Sequence, residues 1–310
     1  MIDILKNILL KDITTYKTGG PADFFVEVKT ESDLESAVLW AHEKSLPFFI
    51  LSGGSNVLFS DAGYRGLIIK LINDDLNFVS PDLISAGAGV KMTTLVNFML
   101  ANNLSGLEWA SGIPGSLGGS MRGNAGCFGG EIANSVLNLK IAEILEGKCF
   151  WKEYVKNDCL FLYRESIFKK NDNLIVWQAL LKLEKGDRVK SENLLMENIN
   201  KRKLSQPLEY PCAGSVFKNV ILKDADEFLK LFPGAPVTND VIAAGWLIEQ
   251  CGLKGEIYNQ AQISLKHANF IINLGGATSD DIYYLINLCQ KNVKEKFSVN
   301  LETEIQLIGF

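Results

Sequence analysis

The sequence of 310 residues has little histidine, no CxxC pair and no long apolar run. With only His42 and His267 available, a histidine-rich metal site is disfavoured, and we expect no metal. The six cysteines form no paired motif, which favours reduced thiols over a disulfide framework in a chain of this length. No apolar run approaches the roughly 20 residues that span a bilayer. We therefore expect a cytoplasmic protein without a membrane segment.

An excess of positive charge is also missing. The 31 lysines and arginines face 36 acidic residues, for a formal net charge of -5. This balance provides no bulk attraction to nucleic acid or to an anionic membrane, and it leaves open a local basic site for an anionic ligand. The first 20 residues carry acids early and have no small-residue cleavage site, so we interpret them as mature protein and not as a signal peptide.

Several familiar site motifs are absent. The chain has no GxxxxGK[ST] motif, and the GAG at 87–89 lacks the third glycine of the Rossmann fingerprint. It also has no GxSxG elbow, and the shortage of histidine disfavours a hydrolase of the Ser-His type. Any nucleotide cofactor must therefore be held by another arrangement.

Hydrophobic spacing predicts a β-α-β beginning. Phe24–Val28 predicts a strand, Thr30 a helix N-cap with Asp33 three residues later, and Phe48–Leu51 a second strand. Further strands are predicted at 67–71, 83–86, 135–145, 174–183, 270–274 and 301–308, and helices at 93–102, 187–203, 241–250 and from 279 onward. The polar helix at 187–203 reads as a connector, which places a domain boundary near 185–205.

The GGSN at 53–56 directly follows a predicted strand. Gly53 and Gly54 can adopt positive φ, so successive N–H groups can converge on one point, and Ser55 and Asn56 add side-chain donors. That chemistry suits a pyrophosphate. Taken alone, the motif is equally compatible with an ordinary tight turn.

A second glycine-rich segment gives a stronger signal. Nine of the 27 glycines lie within residues 106–130, mixed with apolar residues and not with the serine and charge of a solvated linker. In GIPGSLGG at 112–119, Pro114 stiffens a turn and the flanking glycines let the backbone approach a ligand. The alternative interpretation is a glycine-rich packing loop.

Charged residues in two segments could meet an anionic substrate or a reacting group. Arg164, in FLYRES at 161–166, could clamp a carboxylate with two parallel hydrogen bonds, or could be a surface arginine in a salt bridge. In the terminal LETEIQLIGF, Glu302 and Glu304 would share one face of a strand, which could also be a solvated edge.

The segment QPLEYPCAGSVFKN at 206–219 has two prolines that shape a turn. Ser215 could donate a proton, and Lys218 and Asn219 could meet an anionic or sugar group. As an isolated residue, a serine in a turn more often bonds to the backbone.

In order, along nearly the whole chain, these segments resemble flavin-dependent reductases of the UDP-N-acetylenolpyruvoylglucosamine reductase family. The resemblance is carried by YKTGGPAD at 16–23, GGSNVL at 53–58, GLEWASGIPGSLGGSMRGNAGCFGG at 106–130, YRES at 163–166, QPLEYPCAGSVFKN at 206–219, AAGWLIEQCGLKG at 243–255, FIINLGGAT at 270–278 and LETEI at 301–305. It implies the α+β class: an FAD-binding fold of the vanillyl-alcohol oxidase type over 1–185, in two α/β subdomains of about 1–70 and 71–185. A connector helix and a C-terminal α+β substrate-binding domain would follow over 186–310.

The resemblance also implies a function. UDP-N-acetylglucosamine enolpyruvate would be reduced to UDP-N-acetylmuramate by NADPH through non-covalent FAD, in peptidoglycan precursor synthesis. Arg164 and Glu304 would stabilise the enolate, and Ser215 would protonate C2. FAD is expected on Ser52, Gly53, Gly54, Ser55, Asn56, Gly112, Ile113, Pro114, Gly115, Gly118 and Gly119. The substrate is expected on Tyr163, Lys218, Asn219, Asn124 and Lys254. The sugar nucleotide would be the partner, with no nucleic acid and no membrane.

Some residues depart from the family pattern. Gln306 stands where the family usually has arginine, Val220 at a usual proline, Cys212 at a usual serine or alanine, and Asn269 at a usual glycine. The short spacing between Arg164 and Ser215 resembles the subclass without an inserted tyrosine loop. Two other functions are compatible with the glycine-rich segments: an oxidase of the same fold, which gives no joint role to the three catalytic positions, and a non-catalytic flavin- or nucleotide-binding module, which would lose them.

Overall fold

The computed structural model describes residues 2–310, and within them the chain forms twenty strands and nine α-helices. The strands are β1 (Leu5–Leu9), β2 (Pro21–Val28), β3 (Phe48–Leu51), β4 (Val57–Phe59), β5 (Tyr64–Leu71), β6 (Leu76–Ser80), β7 (Leu83–Gly87), β8 (Leu104–Ser105), β9 (Gly126–Cys127), β10 (Gly130–Glu131), β11 (Val136–Leu145), β12 (Lys148–Val155), β13 (Leu174–Lys182), β14 (Glu184–Lys185), β15 (Val220–Ile221), β16 (Val241–Ile242), β17 (Ile257–Tyr258), β18 (Ala261–Ile263), β19 (Ile271–Asn273) and β20 (Gln306–Ile308). The α-helices are α1 (Leu10–Ile13), α2 (Glu31–Glu43), α3 (Met92–Ala101), α4 (Leu117–Gly123), α5 (Ile167–Lys170), α6 (Arg188–Ser205), α7 (Ala225–Leu231), α8 (Ala244–Gln250) and α9 (Ser279–Phe297). In the part of the chain that the structure describes, no helix has the length and apolar character needed to cross a membrane.

Contacts divide the chain into two units. Unit 1 contains the described residues up to Ile8, Ala22–Gly54 and Tyr64–Arg202, and unit 2 contains Leu9–Pro21, Ser55–Gly63 and Lys203–Phe310. Most of the connector helix α6 therefore groups with unit 1, whereas the sequence prediction placed it with the C-terminal domain. The reason is visible in its side chains: Ser191 Oγ donates to Glu108 Oε1 at 2.6 Å, and Asn198 Nδ2 donates to the Glu108 carbonyl at 3.1 Å.

The first sheet of unit 1 contains the predicted β-α-β beginning. Its strand order is β1-β2-β5-β3, and both β2 and β3 run parallel to β5. Helix α2 begins with the expected capping box: Asp33 N–H donates to the Thr30 hydroxyl at 3.1 Å, and Thr30 N–H donates to the Asp33 carboxylate at 2.9 Å. The buried residues of α2 are Leu34, Ala37, Val38 and Ala41. They form one apolar stripe at helical spacing.

The second sheet of unit 1 separates two apolar cores. Its strands are antiparallel in the order β12-β11-β13-β7-β6. In β13, Ile175 and Trp177 pack into the core that contains α2, whereas Val176 packs into the core formed with α3 and α4. Leu117 and Met121 of α4 are fully buried in that second core. The glycine-rich segment is thereby anchored to a packed sheet.

Unit 2 is organised around helix α9, which packs against the three-stranded sheet β17-β18-β19. A second capping box, between Thr278 and Asp281, begins α9, and Ser298 ends it in the left-handed conformation at φ 56°. The core residues of α9 are Ile282, Leu285, Ile286, Cys289, Val293 and Phe297. Two short pairings complete the unit, β15 with β16 and β4 in parallel with β20.

Two predicted elements differ from the observed ones. The helix predicted at 241–250 begins only at Ala244, because Val241–Ile242 pair as β16 with β15. The strand predicted at 301–308 is reduced to β20, because Thr303 instead forms an isolated bridge with Phe217. In both cases a partner distant in sequence decides the conformation.

Strand β12 and helix α4 were not predicted at all. Along β12 most residues are exposed and several are charged, so apolar alternation is weak. Helix α4, with the sequence LGGSMRG, contains three glycines, which are poor helix formers. Burial of its apolar residues in the second core overrides that low propensity.

Candidate active site

The two glycine-rich loops meet in unit 1. The side-chain oxygens of Ser52 and Ser116 are hydrogen-bonded to each other. A Cβ added to Gly53 would lie 2.5 Å from the Cα of Gly115 and 3.2 Å from the nitrogen of Ser116. Gly54 and Gly115 have φ of 61° and 112°, in the region that favours glycine. The two loops are therefore in direct backbone contact, which a side chain at position 53 would disrupt.

Helix α4 carries two adjacent glycines in different surroundings. Leu117 N–H donates to the Val90 carbonyl and Gly118 N–H to the Ala88 carbonyl, both at 2.9 Å. A Cβ at Gly118 would lie 2.9 Å from the Cβ of Ala88, whereas a Cβ at Gly119 would meet no atom within 4 Å. Gly118 thus serves close packing, and Gly119 borders open space where another group can approach the backbone.

The remaining residues of the second loop, 112–114, are held by contacts with other parts of unit 1. Gly112 has φ 72°, and a Cβ there would lie 3.3 Å from the Cδ of Arg202. Ile113 is partly buried against the second core of unit 1, and Pro114 follows it in the turn. The loop therefore packs against the Arg202 side chain and against the second core of unit 1.

Arg202 was not among the predicted site residues. It is only 7% exposed; its Nη2 donates to the Cys127 sulfur at 3.2 Å, and its guanidinium lies 5.3 Å from the ring centre of Phe128. A signal was present in the sequence, because Ser191, Asn198 and Arg202 recur at helical spacing and are the buried polar residues of α6. Without the fold, nothing says which face of a polar helix is buried.

Arg164 occupies a tight turn of unit 1. Leu162 N–H donates to the Glu165 carbonyl at 3.0 Å, and Glu165 N–H donates back at 3.1 Å. Between them Arg164 has φ 55°, which is uncommon for a residue with a side chain. Its Nη2 donates to the Gly126 carbonyl at 2.6 Å, and its guanidinium lies 5.2 Å from the Tyr163 ring centre. The hydrogen bonds of the turn and of the guanidinium hold Arg164 in this conformation.

Asn124 holds that turn in place. Its Nδ2 donates to the Leu162 carbonyl at 2.9 Å and to Glu131 Oε2 at 3.0 Å, and its Oδ1 accepts from Ala133 N–H at 3.2 Å. The residue is fully buried and ends α4 at φ 41°. Asn124 stays a predicted substrate contact, and within unit 1 its side-chain amide N–H groups already have protein acceptors. Its observed role is to tie the Arg164 turn to α4.

In unit 2, the GGSN motif continues with Ser55 and Asn56. Asn56 Nδ2 donates to the Glu304 carbonyl at 3.1 Å, and Gln306 N–H donates to the Asn56 carbonyl at 3.0 Å. Gln306, at the position where the resemblance expects arginine, is half-buried at the start of β20. The tertiary structure thus places Asn56 beside the predicted catalytic glutamate, a proximity that the sequence did not indicate.

Two of the predicted catalytic residues are brought together within unit 2. Gly214, at φ 78°, turns the chain into Ser215, which is half-buried. The next residue, Val216, accepts a hydrogen bond at its carbonyl from Glu304 N–H at 2.7 Å. Ser215 and Glu304 therefore lie on adjacent, hydrogen-bonded segments, and Arg164 lies in unit 1.

The two polar residues after Ser215 have structural partners in unit 2. Lys218 is 7% exposed, its Nζ lies 2.5 Å from Glu302 Oε1, and its N–H donates to the Glu302 carbonyl at 2.9 Å. Asn219 Oδ1 accepts from Ala244 N–H at 3.2 Å, at the first residue of α8. Lys218 therefore pairs with Glu302, two residues before the predicted catalytic glutamate.

The other two predicted substrate contacts lie nearer the surface. Lys254 Nζ lies 2.8 Å from Glu249 Oε1, with side-chain exposures of 30% and 49%. Ion pairs this exposed contribute about 0–1 kcal/mol to stability. Tyr163 is 41% exposed beside Arg164. These two side chains are accessible in their own units.

Comparison with known proteins agrees with this arrangement. A family model described as FAD binding domain matches residues 22–151, and one described as UDP-N-acetylenolpyruvoylglucosamine reductase, C-terminal domain, matches residues 206–308. The UDP-N-acetylenolpyruvoylglucosamine reductase of Clostridium tetani is 39% identical, covering 99% of this chain and 92% of its own. The one of Listeria monocytogenes is also 39% identical, covering 99% and 96%.

The chain belongs to the UDP-N-acetylenolpyruvoylglucosamine reductase family.

A solved structure supports the same assignment. The UDP-N-acetylenolpyruvylglucosamine reductase of Thermus caldophilus matches with a TM-score of 0.78 and 31% identity, covering 99% of both chains. The predicted α+β fold, with its FAD-binding part of the vanillyl-alcohol oxidase type, is confirmed by this match and by the FAD-binding family model. The chain is an FAD-dependent oxidoreductase of this reductase family.

The glycine loops of unit 1 fit FAD. They offer closely packed backbone at Gly53 and Gly115, hydroxyls at Ser52 and Ser116, and open space beside Gly119. Backbone N–H groups that no side chain covers are what a pyrophosphate requires.

We expect Gly53→Ala to weaken FAD binding by about tenfold to a hundredfold. The added methyl forces two packed loops apart, and overpacking costs roughly 1–3 kcal/mol. Flavin content of the purified protein and titration of the stripped protein with FAD measure the effect. The control is Gly276→Ala, where the added Cβ meets no atom closer than 3.5 Å and flavin content should stay normal. Unchanged FAD affinity in Gly53→Ala would show that the contact between the loops does not shape the cofactor site.

His267 gives unit 2 a predicted pH dependence. Burial lowers the pKa of its imidazole below the usual 6.5, and the positive charge of Lys254 lowers it further. The Nδ1 of His267 accepts a hydrogen bond from Asn269 N–H at 3.2 Å, which requires an unprotonated Nδ1. A group with a depressed folded-state pKa stabilises the fold fully above its unfolded pKa and loses that contribution as pH falls.

We therefore expect the stability advantage of the natural chain over His267→Gln to shrink as pH falls from about 7.5 to about 5.5. Urea unfolding of both proteins at several pH values measures this difference. His42 is present in both chains and does not enter this difference. If the stability difference between the two proteins stays constant over this pH range, the His267 imidazole does not change its protonation on unfolding.

Proposed function

We propose that this chain reduces UDP-N-acetylglucosamine enolpyruvate to UDP-N-acetylmuramate, with NADPH as hydride donor, in peptidoglycan precursor synthesis. Its curated relatives are named for reduction of this class of sugar nucleotide. The observation that carries the proposal is the hydrogen bond from Glu304 N–H to the Val216 carbonyl, which joins the Ser215 turn to the Glu304 segment. The bond supports the proposal because it joins the segment of the proposed proton donor to the segment of the proposed carboxylate.

The cofactor would be held by the glycine loops. The residues assigned to it are Ser52, Gly53, Gly54, Ser55, Asn56, Gly112, Ile113, Pro114, Gly115, Gly118 and Gly119. When bound, FAD supplies hydride transfer from NADPH to C3 of the enolpyruvyl group. No histidine lies in these loops for covalent attachment, so acid precipitation should release the flavin.

Arg164 is assigned to the charge that develops during reduction. Hydride arrival at C3 places negative charge at C2 and in the adjacent carboxylate. A fixed cation in a shielded site stabilises such charge by on the order of a few kcal/mol. The planar guanidinium can meet a carboxylate with two parallel N–H···O bonds, and its turn is held by Asn124 and Gly126.

Ser215 is assigned to the proton that C2 then requires. Ser215 is half-buried, and the residue after it is hydrogen-bonded to the Glu304 segment. Glu304 is assigned to orient or hydrogen-bond the reacting groups beside the serine. General acid catalysis of this kind contributes about 10²–10⁴-fold to a rate.

Tyr163, Lys218, Asn219 and Lys254 remain proposed substrate contacts. Tyr163 and Lys254 are accessible, and Lys218 and Asn219 would reach the sugar nucleotide from the segment that carries Ser215. Asn124 is likewise kept as a proposed substrate contact, and its bond to the Leu162 carbonyl positions the Arg164 turn. The predicted cytoplasmic location stays a prediction.

The test is anaerobic mixing in two steps. NADPH should bleach the flavin absorbance, and the enolpyruvyl sugar nucleotide should then restore it with formation of UDP-N-acetylmuramate, identified by mass. Reoxidation by oxygen but not by the sugar nucleotide would point to an oxidase. Flavin that NADPH never bleaches would point to a binding module.

A further inference from the structure

The segment that carries Ser215 is fixed on its other edge by Asn269. Val216 N–H donates to the Asn269 backbone carbonyl at 2.8 Å. The Asn269 side chain makes two hydrogen bonds to the backbone of Phe217. Its Oδ1 accepts from Phe217 N–H at 3.0 Å, and its Nδ2 donates to the Phe217 carbonyl at 2.8 Å. One asparagine thereby makes three hydrogen bonds to the two residues that follow the serine.

Together with the Glu304 segment, these bonds use all the backbone polar groups of Val216 and Phe217. On one edge, Glu304 N–H donates to the Val216 carbonyl at 2.7 Å. On the other edge, Asn269 engages the Val216 N–H and both polar groups of Phe217. The backbone leading from Ser215 is therefore held like the central strand of a sheet, with an amide side chain in place of a third strand.

Asn269 is itself rigidly placed. It is 3% exposed, and its N–H donates to His267 Nδ1 at 3.2 Å. The His267 ring in turn contacts Phe270, with ring centres 4.9 Å apart. A buried amide with both donor and acceptor engaged has one favourable orientation. The hydrogen bonds from Asn269 to Val216 and Phe217, which we call the clamp, therefore fix the position of this backbone.

We propose that Asn269 is a positioning residue for proton donation by Ser215. The inference rests on the proposed function, because it concerns the step in which Ser215 acts. A side-chain amide is suited to this task because it presents one acceptor and one donor at the spacing of a peptide group. Loss of the clamp lets the serine turn shift, and a displacement of about 1 Å from productive geometry can cost about 10²-fold in rate.

The test compares Asn269→Ala with the natural chain in the two half-reactions. Reoxidation of the bound flavin by the enolpyruvyl sugar nucleotide should slow by about 10- to 100-fold, whereas flavin content and reduction by NADPH should stay within about twofold. Asn269→Asp keeps the acceptor for Phe217 N–H and loses the donor, so its rate should be intermediate. It also serves if the alanine variant fails to fold.

The matched control is Asn273→Ala. Asn273 is equally buried in unit 2, and its side chain bonds to the Tyr16 carbonyl at 3.0 Å and to the N–H groups of Gly275 and Ala277, which are not part of the Ser215 segment. Its loss should lower stability and leave the reoxidation rate near normal. A double variant, Ser215→Ala with Asn269→Ala, should be hardly slower than Ser215→Ala alone, because a residue that acts through the serine has nothing to position once the hydroxyl is gone.

Three results would overturn the inference: normal reoxidation in both Asn269 variants, equal slowing of both half-reactions, or a full additional loss in the double variant. A natural chain that the sugar nucleotide does not reoxidise would instead refute the proposed function itself. A natural chain that is reoxidised at the same rate as Asn269→Ala would refute only the role of Asn269.

Discussion

Ser215→Ala is expected to slow reoxidation of the flavin by the sugar nucleotide by about 10²–10⁴-fold and to leave its reduction by NADPH almost unchanged. The serine has a proposed task only after hydride has reached the substrate, when C2 needs a proton. Its segment is held by Glu304 N–H on the Val216 carbonyl, so the hydroxyl is presented from a fixed backbone. Anaerobic stopped-flow measurement of flavin absorbance separates the two steps.

A conservative variant sharpens this experiment. Ser215→Cys retains a group that can donate a proton and should keep part of the reoxidation rate. If both half-reactions slow equally in Ser215→Ala, the serine supports the fold or the flavin pocket. If neither slows, the proton comes from another donor, with Glu304 or a bound water as the next candidates.

Arg164→Lys is expected to lower kcat by about 10²-fold or more with flavin content intact. Lysine keeps the positive charge but loses the planar fork that meets a carboxylate with two bonds. It would also lose the geometry of the 2.6 Å hydrogen bond to the Gly126 carbonyl, which helps to hold the side chain. Steady-state kinetics with both substrates, alongside flavin absorbance of the purified variant, measure the effect.

The comparison variant is Arg188→Lys. Arg188 lies on the exposed surface of α6 in an ion pair with Glu192 at 2.8 Å, so its replacement should leave kcat unchanged. Near-normal kcat in Arg164→Lys would show that Arg164 has a structural role and does not stabilise the enolate. A loss of flavin in that variant would show that the turn supports the cofactor site.

Local elements were predictable wherever a cap and an apolar stripe coincide. Helix α2 has both, in the Thr30 capping box and in its buried stripe, and the predicted strand Phe48–Leu51 is observed with the same bounds. These signals depend on residues within four positions of each other, which the sequence displays directly. Elements stabilised by distant partners gave no such signal, as the pairing of Val241–Ile242 with β15 illustrates.

The candidate site likewise has features that the sequence predicted and features that only the structure shows. Motifs in the chain indicated the glycine loops, Arg164, Ser215 and Glu304, because residue type and resemblance carry that information. They did not indicate that Asn124 is buried with its amide hydrogens engaged, or that Arg202 braces the Gly112 loop. Burial is set by what packs against a residue, and those neighbours lie up to 90 positions away.

By itself, then, the sequence determined the family and the elements with strong local periodicity, and it predicted the chemistry-bearing residues. Only the tertiary structure decided that Glu304 bonds to the residue after Ser215, that Asn56 donates to the Glu304 carbonyl, and that Asn269 clamps the serine turn from its other edge. The physical reason is that hydrogen bonds between distant segments depend on which segments pack together. Any residue except proline can supply a backbone N–H, and an asparagine side chain bonds only to groups that the packing of the unit brings within reach.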